Sequence, residues 1–214
     1  KGHRVINDFF SSKILNNKNF KEKQYDLIIS RHVLEHIENL NDFIDTIGKI
    51  LKNDGTIIFE IPDFDSYLEY NDFTLWEEHV NCFNLHSINN LMRINGFSIY
   101  HHEKTLFSGR ALTIFAKKNF QKLGPLKIDF YNSLMSNYAN NFFYLKKELH
   151  SYLSKFEKIA VYGCGSRSSL FVNLFELNMV EFFIDDQLEK QNHILPGLNV
   201  SIKDWDDKYK SYFF

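Results

Sequence analysis

Three short stretches hold residue types that could do chemistry. Arg31-His32-Val33-Leu34-Glu35-His36 places two histidines around a carboxylate, and Trp76-Glu77-Glu78-His79 places a histidine directly after two carboxylates. A histidine near its ordinary pKa can take up a proton at neutral pH, and a carboxylate can orient it or act as the base itself. The bland reading of Glu78 and His79 is a helix N-terminus decorated with solvated charges. His32 and His36 are four apart and would share a face if both were helical. A metal site would need at least a third ligand and a supporting shell, and neither is evident, so no metal is expected. The third stretch is Gly163-Cys164-Gly165-Ser166, with Asp185 about twenty residues further on. A glycine turn feeding a helix can cradle phosphate on its backbone N–H groups, and an acid at that distance can take a ribose hydroxyl. The third glycine of the dinucleotide pattern is replaced by Ser168, so the motif alone is weak, and its bland reading is a structural turn with no ligand.

The first stretch needs a βαβ unit to position it. Tyr25–Ser30 is a short apolar run of the kind found in buried parallel strands. Leu34, Ile37, Leu40, Phe43, Ile44, Ile47 and Leu51 recur at helical steps, Asn53-Asp54-Gly55 reads as stop and turn, and Thr56–Ile61 reads as a second buried strand. Ligands in such sheets sit beyond the carboxyl ends of the strands. Those ends carry Arg31, His32, Glu35 and His36 on one side, Glu60 and Asp63 on the other. Val5-Ile6 reads as a short strand before the polar pair Asn7-Asp8. Phe64–Phe73 reads as a helix or lid connection. Ser87–Asn95 reads as a helix with Ser87 as N-cap, and Phe97–Lys104 and Ala111–Lys117 as an antiparallel pair. Gly124-Pro125 marks a boundary. Leu126–Phe156 reads as one long helical segment, striped by Leu134, Tyr138, Phe142, Leu145, Leu149 and Leu153. Ile159–Tyr162, Ser168–Leu177 and Val180–Ile184 form a second βαβ unit.

Composition excludes several classes. A net charge of −2 over 214 residues provides no basic field, so nucleic acid is not expected as a partner. Two cysteines, Cys82 and Cys164, make neither a disulfide framework nor a metal knuckle. No apolar run reaches membrane-spanning length, so a cytoplasmic protein without membrane partners is the default expectation.

The run DLIISRHVLEHIENLNDFI…ILKNDGTIIFEIP resembles the fourth and fifth strands of a class I S-adenosylmethionine (SAM) methyltransferase. With WEEHVNCFNLHS and DDQLEKQNHILPGLNVSI, it is similar to the C-methyltransferases that act on nucleotide-linked deoxysugars. The resemblance covers nearly the whole chain but not the family's N-terminal portion. It implies an α/β protein. A partial Rossmann-like methyltransferase sheet (1–120) is followed by a helical connection (121–157) and a smaller Rossmann-like domain (158–214) that helps bind the nucleotide sugar. It implies SAM as methyl donor, near Asp8, Phe9, Arg31, His32 and Val33. It implies catalytic roles for His79, Glu78, His32 and Trp76; the last stands where the family carries tyrosine. Carbon methylation needs such a base, because a C–H beside a carbonyl must lose its proton before the carbon attacks the methyl group. Substrate contacts are implied at His36, Phe83, Gly109, Arg110, Gly163, Gly165, Ser166, Asp185 and Lys190. Phe107 and Arg110 depart from the family's His and second Gly, which puts the contact at that turn in doubt. The glycine-rich SAM loop is not in the sequence given. That absence, with Trp76 in place of tyrosine, supports a non-catalytic nucleotide-sugar binder or partner protein; a permuted site that uses Gly163–Gly165 and an NAD enzyme built on Gly163–Asp186 are further readings. Without the family's first strands, Ile28, Ile29, Ile57, Ile58 and Phe59 should lose cover. An exposed edge at Val5-Ile6 or Tyr25–Ser30 should then favour homo-oligomers.

Overall fold

Apolar runs at the predicted places build two parallel βαβ units. The computed structural model describes residues 5–17, 20, 22–73, 76, 78–106, 110–119 and 132–212. The chain divides into two compact units, 1–67 with 77–130, and 68–76 with 131–214.

In the first unit, β1 (Tyr25–Arg31) leads into a 3-10 turn at Leu34–His36, then α1 (Leu40–Ile50) and β2 (Leu51–Pro62). Next come α2 (Phe64–Tyr70), which begins in this unit, then α3 (Leu85–Ile94), β3 (Phe97–Leu106) and β4 (Arg110–Lys118). The sheet runs β1-β2-β4-β3, with β1 and β2 parallel and the other pairings antiparallel. Phe43, Ile44 and Ile47 of α1 and Ile88 and Met92 of α3 pack with Ile57, Phe59, Ile61, Leu112 and Ile114 of the central strands.

Several expectations change in detail. The helix does not run on from Leu34, because the chain is still in the 3-10 turn there; α1 starts later, with the Asn39 side chain accepting from the Asp42 N–H. His32, at φ 49°, lies before that turn, so His32 and His36 share no helix face. Asn53-Asp54-Gly55 does not break the chain but lies inside β2, where the register steps from Tyr25↔Leu51 to Leu27↔Thr56. A Cβ on Gly55 would come within 2.7 Å of the Leu51 side chain, so this irregularity needs glycine. Asn84, not Ser87, caps α3; its side chain accepts from the Ser87 N–H at 2.8 Å, and the Ser87 hydroxyl accepts from the Asn84 N–H at 3.0 Å. Val5-Ile6 is irregular rather than a strand, and Val5 is exposed. Phe10 is the residue of this segment that packs on the core, edge-on to Phe43 at 5.1 Å. Ile57 and Phe59 are fully buried beneath the helices, whereas Leu27 and Ile29 of β1 are exposed.

The second unit holds α4 (Asn132–Leu153), β5 (Ile159–Tyr162), α5 (Ser166–Leu174), β6 (Val180–Ile184), β7 (Ile194–Leu195) and β8 (Val200–Lys203). Its sheet runs β5-β6-β8-β7 with only β7 antiparallel. Tyr138, Phe142, Leu149 and Leu153 of α4 lie against a core of Phe175, Phe182, Phe183 and Ile184. Phe73 joins that core, 4.5 Å from the Tyr138 ring and 5.2 Å from the Phe142 ring. The Gly124-Pro125 boundary lies outside the described residues. Among the described residues no helix is long and apolar enough to cross a membrane.

Candidate functional site

The carboxyl end of β1 gathers the first cluster. The left-handed backbone at His32 turns the chain sharply after Arg31, and the His32 N–H donates to the Glu60 carbonyl at 2.8 Å, tying the turn to β2. Glu60 then receives two side chains. Arg31 Nη2 lies 2.8 Å and His32 Nε2 3.2 Å from the same Oε1. Hydrogen bonding by Arg31 holds the Glu60 carboxyl below its usual range, and Glu60 in turn raises Arg31. On the other side of the ring, His32 Nδ1 lies 3.4 Å from Glu35 Oε1. The imidazole of His32 is therefore held between two carboxylates.

The second cluster joins segments more than forty residues apart. The Asn81 N–H donates to the Glu35 carbonyl at 3.0 Å, and the Asn81 side chain donates to the Ile37 carbonyl at 2.7 Å. These bonds fasten the loop carrying Glu78 and His79 to the 3-10 turn. His36 Nδ1–H donates to the Glu78 carbonyl at 2.9 Å, and the His36 and His79 rings meet edge-on at 4.9 Å. Ligand atoms of Glu35, His36 and His79 all lie within 4.8 Å of one another. Glu35 is only 1% exposed, and neither carboxylate oxygen has a hydrogen-bond partner. Burial pushes His79 below the ordinary imidazole range, with Glu35 and Glu78 pulling it back up and His36 and His32 adding to the fall. At neutral pH His79 is thus a neutral base flanked by carboxylates that would welcome its charged form.

The remaining expected site residues are spread more widely. Asp8 is exposed and accepts the Phe9 N–H at 2.8 Å, while the Phe9 ring is 91% exposed. Val33 is exposed beside His32. Phe83 lies in the core of the first unit at 6% exposure, its carbonyl accepting the Phe64 N–H. Arg110 is exposed at the start of β4, and its carbonyl accepts the Asp63 N–H at 3.0 Å. Gly109 lies outside the described residues. Trp76 belongs to the second unit, where the Arg167 guanidinium stands 5.7 Å over its ring, whereas Glu78 and His79 belong to the first.

In the second unit Gly163 adopts φ +91°, which favours glycine, and Gly165 caps α5 with the exposed Ser166 as its first residue. The Ser168 hydroxyl accepts the Gly165 N–H at 3.1 Å and reaches the Gly163 carbonyl at 2.5 Å. Asp185 accepts from the Cys164 N–H at 2.7 Å, the Gln187 N–H at 2.9 Å and Lys190 Nζ at 3.1 Å. In this structure the acid that could have met a ribose holds the glycine turn instead.

Glu35, Glu60 and Asn81 are parts of the constellation to which no site role was assigned from sequence. Glu35 and Glu60 were visible as strand-end acids. Nothing local marked Asn81, whose role depends on a contact across the fold.

Two family models match the chain. A methyltransferase domain takes residues 3–102, and a C-methyltransferase C-terminal domain takes residues 111–211. No curated protein matched. Among solved structures, the 1,6-didemethyltoxoflavin-N1-methyltransferase of Burkholderia thailandensis is similar at 15% identity, with a TM-score of 0.38 over 46% of this chain and 45% of that one. The PH0226 protein of Pyrococcus horikoshii gives 16%, 0.39, 49% and 56% in the same order, and a SAM-dependent methyltransferase of Archaeoglobus fulgidus gives 17%, 0.40, 50% and 66%. The chain thus spans 45% to 66% of the length of these structures. With a methyltransferase domain followed by a C-methyltransferase C-terminal domain, the chain belongs to the two-domain C-methyltransferase family.

Proposed function

We propose that this protein transfers a methyl group from SAM to a carbon of a nucleotide-linked keto-deoxysugar, with His79 as the general base. The observation that carries the reading is His79 itself. It is half-buried, shifted toward its neutral form, and set among Glu35, Glu78 and His36 beyond the end of a parallel strand.

The residues present fit part of a SAM site. At the carboxyl end of β1 the Ser30 hydroxyl is buried without a hydrogen-bond partner, and Asp8, Phe9 and Val33 are exposed. Asp8 would accept from the adenine, Phe9 would pack beside it, and Arg31, His32 and Val33 would line the donor. When bound, SAM supplies an electrophilic methyl on sulfonium sulfur. His79 takes the proton from the carbon beside the keto group, and the electron pair passes into an enolate. That carbon would be the acceptor of the methyl group that SAM supplies. Glu35 and Glu78 stabilise the imidazolium, while Glu60 and Glu35 hold His32 in place. Positioning provides much of the remaining rate. Such a product would serve the synthesis of surface polysaccharides or of other deoxysugar compounds.

The test is methyl transfer to a keto-sugar nucleotide by the full-length protein and by its His79→Ala variant. Loss of a general base lowers turnover about 10²–10⁴-fold. Turnover within about tenfold of the parent would remove His79 from that role.

A further inference from the structure

We propose that Glu35, His36 and His79 form a binding site for a divalent transition-metal ion. Their ligand atoms already lie within 4.8 Å of one another. A tetrahedral ion with bonds of about 2.0–2.2 Å holds its donors roughly 3.5 Å apart, so side-chain rotations of little more than an ångström close the set. His36 is exposed and His79 half-buried, and the buried Glu35 is the fixed point.

Two independent observations point to a cation. Glu35 is a buried carboxylate whose two oxygens have no hydrogen-bond partner. His32 Nδ1 stands 3.4 Å from Oε1. A carboxylate taken out of water without hydrogen bonds is costly, and a bound cation supplies the missing partner. In addition, the His36 Nδ1–H donates to the Glu78 carbonyl, which fixes the tautomer and leaves Nε2 as the lone-pair atom. That is the outer contact characteristic of metal-binding histidines. Two imidazoles and one carboxylate favour zinc, cobalt, nickel or ferrous ions over magnesium or calcium, which prefer all-oxygen sets. The exposed side of His36 leaves a further position for water. Metal binding does not depend on the proposed reaction. One consequence does: an ion on His79 takes the lone pair that proton abstraction uses, so loading with metal should suppress methyl transfer.

The experiment is titration of the chelator-treated, tag-free chain with Co²⁺, read by visible absorption, followed by displacement with Zn²⁺. The expected result is saturation at one ion per chain at or below about 100 µM, with Glu35→Gln and His36→Ala each weakening binding at least about tenfold. His101→Ala is the control, because His101 pairs with Glu103 on β3; it should bind like the parent. No saturable absorption change, or binding that Glu35→Gln and His36→Ala leave intact, overturns the proposal. An active His79→Ala enzyme would defeat the base assignment without touching this result.

Discussion

The carboxyl ends of the two sheets begin alike and finish differently. Each unit sets a parallel βαβ motif, β1-α1-β2 or β5-α5-β6, with acids at its strand ends. In the second unit the acid is occupied internally. Asp185 takes two backbone N–H groups and Lys190, and Ser168 takes the Gly165 N–H that a phosphate oxygen would want. In the first unit the Ser30 hydroxyl and both Glu35 oxygens are buried with no hydrogen-bond partner. The same topology is used at one end to hold its own turn and at the other to keep polar atoms unsatisfied. Such atoms in a folded protein call for a ligand, an ion or a catalytic role.

The largest effect on folding should therefore come from the second unit. Asp185→Ala removes the acceptor that closes the glycine turn and leaves the buried Cys164 N–H without its partner. Melting should fall on the order of 10 °C, more than for any single strand-end change in the first unit. Calorimetry of the parent and variant is the measurement. A shift under about 2 °C would mean that the turn holds its shape without the acid.

Acid should reveal the same dependence. Hydrogen bonds from the Gln187 and Cys164 N–H groups, with help from Lys190, hold the Asp185 carboxyl below its ordinary value against the opposing effect of burial. A depressed folded-state pKa adds stability that is fully present above the unfolded value and is lost as pH falls through the folded one. Circular dichroism melts between neutral pH and strong acid should show the parent losing more stability than Asp185→Asn, with the two curves converging at the acid end. Parallel curves throughout would separate Asp185 from the pH response.

Glu35→Gln probes the other side of the contrast. It keeps the side chain's shape and removes a buried charge that no hydrogen bond compensates. Stability should stay the same or rise, within about 1 kcal/mol, as measured by urea unfolding. A loss of more than about 2 kcal/mol would show that His32 already compensates the charge, and the two strand ends would then be less different than they look.

Why Glu35 was legible only as a strand-end acid has a physical answer. The strands and helices announced themselves through apolar spacing, because burial depends on short-range periodicity. The approach of Glu35 to His79 depends on a 3-10 turn and on two hydrogen bonds from Asn81, none of which leaves a periodic trace. Asn53-Asp54-Gly55 failed in the opposite sense. Its turn chemistry is real, but pairing with β1 absorbs it as an irregularity within a longer strand. Ser87, expected as the N-cap, is the inner residue of a capping box whose N-cap is Asn84.

The smallest expected change in stability concerns β1. It ends the sheet order and pairs with β2 alone among the described strands. Leu27 and Ile29, two apart and so on one face, are 49% and 56% exposed. An edge strand with an apolar face is a template for a second chain, and a lysine there is the usual protection. The chain as given should therefore self-associate through β1. Ile29→Lys should shift it toward monomer while altering folding stability by no more than about 0.5 kcal/mol, because the site is already half in water. Light scattering over a concentration series reads the association, and a thermal melt reads the stability. If the parent is a monodisperse monomer at every concentration, β1 is not an associating edge. If Ile29→Lys unfolds the unit, Ile29 is covered in solution by residues beyond those described, and the exposed face of β1 belongs to the core.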